Sequence, residues 1–92
     1  MADIVKTDGV LGGKARLDGR RIAVIDVAER VLDHGQAPEH VVDQLDVTLA
    51  EVYTALAYYY ENIEEMNAIR ERRRDLDERL ERESKAPEAV EQ

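Results

Sequence analysis

Side chains suited to covalent or metal chemistry are scarce in this chain. There are two histidines, His34 and His40, and no cysteine. The histidines are separated by Gly35 and Pro38, so they cannot share a helical face as an i,i+4 metal pair, and they read as solvated surface groups. Without thiols, neither disulfides nor thiolate metal sites can form. The stretch DGVLGGKA has the look of a phosphate loop. It lacks the required composition, because Asp8 stands where the first Gly belongs and Ala15 where the Ser or Thr after Lys14 belongs. The carboxylates lie along helix exteriors, with no apolar pocket to shift one of them toward acid/base work. The expectation is therefore a non-enzyme with no catalytic residue, no metal, no cofactor and no small-molecule substrate.

What remains is binding chemistry. The formal net charge is −8, which opposes general nucleic-acid binding, but the charge is unevenly placed. Residues 1–24 carry five basic and three acidic side chains, residues 25–61 one and eight, and residues 62–92 seven and ten. The cations Lys14, Arg16, Arg20 and Arg21 are thus the groups that could hold phosphates, as basic arms do, or else neutralise the acidic body. Tyr58, Tyr59 and Tyr60 stand out in a chain with four Tyr and neither Phe nor Trp.

These groups need elements to hold them. Over residues 1–23, Asp8-Gly9, Gly12-Gly13 and Asp18-Gly19 read as turns. They separate the β-compatible pieces Ile4-Val5, Ala15-Arg16-Leu17 and Arg21-Ile22-Ala23-Val24, giving a short arm or hairpin too small to stand alone. Val24, Val27, Ala28, Val31 and Leu32 then recur at helical spacing until Gly35. Pro38 opens a short second helix burying Val41, Val42 and Leu45. Thr48 and Glu51 have capping-box spacing and open a third, whose inward stripe is read as Leu49, Val52, Tyr53, Leu56, Ala57 and Tyr60, with Tyr58 pointing away. Helix, the turn Leu45-Asp46-Val47 and helix together have the order of a helix-turn-helix. In that arrangement Thr48 and Thr54 face a groove, although the helix offers no cation or amide to base edges.

Beyond Glu61 the chain turns to Glu and Arg, with sparse apolar positions at Met66, Ile69, Leu76 and Leu80 and Arg73 in the gap of the seam. Such a stripe looks too thin for a core, so the helix is expected to lie on a partner. Whether it continues the third helix is left open, and Ala86-Pro87 is expected to end it. The expected organisation is mainly α: a basic glycine-rich arm or hairpin (1–23), a three-helix helix-turn-helix-like core (24–61), a long charged helix (62–85) and a disordered acidic tail (86–92). With so small a core, Leu56, Tyr59 and Tyr60 are expected to be shared with a copy in a homodimer or larger homo-oligomer. The opening MADIVKTDG has no secretory h-region and no segment is apolar enough to span a membrane, so a cytoplasmic location away from membranes is expected.

The ordered runs TDGVLGGKARLDGRRIAV, HGQAPEHVVDQL and VTLAEVYTALAYYYEN resemble the small prokaryotic domain-of-unknown-function family 433 over about residues 4–65. The sequence departs from that pattern at Ala15, where Pro is usual, and at Arg20, where Thr is usual. Members are regarded as antitoxins of type II toxin–antitoxin modules, often encoded beside a PIN-like nuclease, with a dimerising helix-turn-helix core. The resemblance implies an antitoxin that inhibits a PIN-like toxin. On this reading Met66, Ile69, Arg73, Leu76 and Leu80 contact the toxin, the acidic helix complements a basic nuclease groove, and operator DNA is an open second partner. The alternative is a stand-alone dimeric DNA-binding transcriptional regulator.

Overall fold

The N-terminal segment doubles back because its turns fall on residues that tolerate left-handed backbone. Gly19 (φ +78) closes the Asp18-Gly19 turn, and Gly12 (φ +67) sits within a 3₁₀ turn at Leu11–Gly13. The result, in a computed structural model that describes residues 3–91 and side chains as far as Ser84, is a two-stranded antiparallel hairpin. Strand β1 (Ile4–Val5) pairs with β2 (Arg16–Leu17), Ile4 opposite Leu17 and Val5 opposite Arg16. The third expected piece contributes only a single bridge, Ala23 to Arg16, because Val24 already begins a helix. Strands of two residues survive by sealing Ala15 and Leu17 against the helices.

Helix α1 (Val24–Ala28) buries Val24, Ile25, Val27 and Ala28. It passes into a π turn (Glu29–Asp33), in which the His34 amide donates to the Glu29 carbonyl at 3.0 Å. The wider turn rotates its own side chains away from the α-helical register, leaving Val31 half-buried and Leu32 exposed where an unbroken α-helix would have turned both inward. Gly35 (φ +68) ends this segment as expected. Helix α2 (Pro38–Leu45) has Pro at its first position and buries Val41, with Val42 and Leu45 packed beside it. Asp46 then adopts left-handed φ/ψ (56, 49), and Val47 is buried in the turn.

Helix α3 (Leu49–Glu61) opens on the expected capping box: the Glu51 amide donates to Thr48 Oγ1 (3.1 Å) and the Thr48 amide to Glu51 Oε1 (2.8 Å). Its buried face is not the stripe read from the sequence. Val52, Ala55 and Tyr59 face the core with Leu56 and Tyr58 beside them, whereas Leu49, Tyr53 and Tyr60 are 41, 53 and 60% exposed. The helix is apolar almost all round, so periodicity could not choose between adjacent faces. Its main neighbour is α1, and Ala55 offers the small side chain that close packing requires.

Asn62 breaks the chain between α3 and α4 (Ile63–Glu91), with φ −133 and ψ 48. Its side-chain amide donates to the Tyr58 carbonyl (3.0 Å), while its own carbonyl accepts from the Met66 amide (3.1 Å). The break swings α4 back along the body, which overturns the expectation that its stripe is too thin for a core. Met66 is fully buried and Ile69 nearly so, both within the hydrophobic core cluster. Ion pairs fix the helix there: Arg70 to Asp33 (2.6 Å), Arg73 to Glu29 (2.6 Å) and Asp26 (3.1 Å), and Lys6 to Glu65 (2.9 Å). From residue 74 to 84 every position is exposed. The helix bounds run through Ala86-Pro87, where an end was expected. The tail expected over 86–92 lies outside the residues whose side chains are described. No helix among the described residues is long and apolar enough to cross a membrane.

Candidate docking surfaces

The arm cations divide into two pairs. Arg16 is turned inward: Nη1 donates to the Arg20 carbonyl (3.0 Å) and Nη2 to Thr7 Oγ1 (3.0 Å), so it clips the hairpin turn together. Arg20 reaches the α2–α3 turn, where Nε donates to Glu51 Oε2 (2.7 Å) and Nη1 to the Asp46 carbonyl (3.0 Å). The Arg20 hydrogen bond holds the Glu51 carboxyl below its ordinary range against the opposing effect of partial burial, with the Thr48 amide assisting. Arg20 therefore ties the arm to the core. Lys14, half-buried, and Arg21, exposed, make no ion pair among the described residues.

On the outer face of α3, Thr48 is exposed with its hydroxyl engaged in the cap, and Thr54 is half-buried. The three residues expected at a dimer contact separate. Tyr59 is a core residue, with Arg70 stacked 5.5 Å from its ring centroid and the Tyr60 ring edge-on at 5.4 Å, Leu56 is half-buried, and Tyr60 is open. Tyr58 does not point away. Its hydroxyl donates to Glu65 Oε1 (2.9 Å), the atom that also accepts from Lys6, and burial, then this hydrogen bond, raise its pKa. Leu49, Tyr53, Leu56 and Tyr60 leave an uncovered seam at 4-3-4 spacing along α3.

The five α4 residues also part company. Met66 and Ile69 belong to the core, Arg73 is bound to Asp26 and Glu29, and Leu76 and Leu80 stand 50 and 53% exposed. Between the Leu11–Gly13 turn and α4 lies an open groove of about 460 Å³, floored by Ile69 and Leu76 and edged by Lys14, Arg72, Arg73 and Arg79, with Asp75 its one acid among the described residues. The groove thus joins Lys14 from one expected site to Arg73 and Leu76 from another. Arg72 and Arg79 were missed, although they sit four residues before and three after Leu76, which puts them on its face. Among the described residues, no group of His, Asp and Glu could hold a metal ion.

The sequence matches the model of a family described as a protein of unknown function, DUF433, over residues 4–59. The chain belongs to the DUF433 family. No curated protein and no solved structure matches it. The DUF433 region ends inside α3, yet Met66 and Ile69, beyond it, complete the core. The α4 wall of the groove lies beyond the DUF433 region, while Gly12 and Lys14 on its other side lie within it.

Proposed function

We propose that the protein is a non-enzymatic docking module, the antitoxin of a type II toxin–antitoxin pair. In this reading the distal half of α4 seats on a PIN-like nuclease and the body pairs with a second copy through α3. The observation that carries it is the division of one helical seam. Met66 and Ile69 stabilise the fold, while Leu76 and Leu80, one turn apart beyond the body, are left half-exposed beside the groove. The resemblance drawn from the sequence, which implies an antitoxin of a PIN-like toxin, supports the choice of partner. Co-expression with the product of the adjacent reading frame tests the assignment. Leu76→Asp with Leu80→Asp is expected to abolish co-purification and protection of growth while leaving the melting temperature almost unchanged. Retention of both would reject it.

A stand-alone dimeric DNA-binding regulator is the second reading, favoured by the order α2, left-handed turn, α3, and by unpaired Lys14 and Arg21. Weighing against it, the exposed positions of α3 from Ala50 to Tyr60 carry no cation. On that reading Lys14 and Arg21 make the phosphate contacts, since Arg16 and Arg20 are committed within the fold. Arg21→Ala would weaken a shift of the protein's own promoter DNA without lowering thermal stability.

A further inference from the structure

The groove beside α4 carries charge of the opposite sign to the helix as a whole. Residues 62–92 hold seven cations and ten acids, but the four neighbours of Leu76 at three and four residues are Arg72, Arg73, Arg79 and Leu80. Lys14 adds a cation from across the groove. Asp77, Glu78 and Glu81 lie on other faces at 100° per residue, and Glu83, two turns beyond Leu76, ends the cationic stretch. Arg72 and Arg79 are separated by two turns, about 10.5 Å along the axis. Neither has an ion-pair partner among the described residues.

We propose that this groove receives an acidic, amphipathic peptide segment of the partner protein, its apolar side chains on Ile69 and Leu76 and its carboxylates toward Lys14, Arg72 and Arg79. The inference rests on the docking role proposed above and gives that partner's contacting element its chemistry: acidic where it meets Leu76, not the basic nuclease groove that the overall charge of α4 suggested. Three features favour a peptide over nucleic acid. The floor is aliphatic. Among the described residues the groove holds no aromatic ring on which a base could stack. The net charge of −8 repels an extended polyanion, whereas a short segment meets only the local field.

Fluorescence anisotropy on the full chain tests this, using a labelled helical peptide with a Leu face flanked on both sides by Glu, the same peptide with Lys for Glu, and a short single-stranded oligonucleotide. The Glu peptide is expected to bind at least about tenfold more tightly than the Lys peptide, with an affinity that falls as salt rises. Arg72→Glu with Arg79→Glu should reverse the preference, and Leu76→Asp should weaken binding of the Glu peptide. Equal binding of the two peptides, displacement by the oligonucleotide at comparable concentration, or indifference to the charge reversal would overturn the proposal. Conversion of a dimer to a monomer by Arg72→Glu with Arg79→Glu would overturn it too, by giving the groove to a second copy. If the co-expressed partner is still released by Leu76→Asp with Leu80→Asp while the Glu peptide fails to bind, the charge assignment alone falls. If the partner is not released either, the docking role falls with it.

Discussion

Arg20 stands where Thr is usual in the family pattern, and the structure gives the substitution a use. Its guanidinium joins the arm to the α2–α3 turn through Glu51 and the Asp46 carbonyl. Arg20 is about a third exposed, so solvent screens its pairing, and Arg20→Ala is expected to lower the melting temperature only modestly. The pH dependence has a definite sign. Glu51 titrates below its ordinary value when folded, so its stabilisation is present above the unfolded value of about 4.3 and is lost as pH falls through the lower folded value. Thermal melts should show Glu51→Gln less stable than wild type at neutral pH, with the gap closing below about pH 4. A gap that persists at low pH would mean that packing, not charge, is what Glu51 contributes.

At the scale of elements, α4 has two parts with different energetics. Met66 is fully buried, and Met66→Ala should cost about 2–5 kcal/mol, whereas Leu80→Ala should stay within about 0.5 kcal/mol. In a domain this small each kcal/mol shifts the melting temperature by roughly 4–8 °C, so calorimetry separates the two variants readily. Truncation after Glu61 should unfold the protein for the same reason. Sequence alone could reach the turn glycines, Pro38, the Thr48 capping box and Val41, because each is a local rule acting over four residues or fewer. It could not reach the buried face of α3, where apolar side chains circle the helix and the outcome depended on which face α1 met. Nor could it reach the role of Met66, which depended on the backbone break at Asn62. Of the candidate site residues, Leu76 and Leu80 were legible as an apolar seam, which the structure leaves exposed. Arg16, Arg20 and Arg73 were legible as cations; Arg16 bonds within its own hairpin, but the partners of the other two are 44 or more residues away for Arg73 and 31 for Arg20–Glu51, a separation no local pattern encodes.

The whole molecule is longer than its residue count requires. Its radius of gyration is 16.1 Å, where a compact chain of this length would have about 12 Å, and its extents are 57 × 28 × 22 Å. The excess comes from the distal part of α4, which keeps its proposed docking surface away from a second candidate surface. The second surface is the α3 seam, on which Tyr53 and Tyr60 each leave more than half their area uncovered. With Leu49 and Leu56 this gives on the order of 400 Å² of apolar surface, about half of the roughly 800 Å² per partner in a stable dimer. The flanking Ala50 and Ala57 would add contact but no charge, so self-association should occur and depend on concentration. Sedimentation velocity should show monomer passing to dimer over the micromolar range. Tyr53→Glu with Tyr60→Glu should hold the protein monomeric throughout with little change in its melting temperature at low concentration, because neither ring is in the core. Leu76→Asp with Leu80→Asp should leave this dimer intact. A dimer lost on the α4 changes but kept on the α3 changes would instead place the self-contact on α4, and the two surfaces would have to exchange roles.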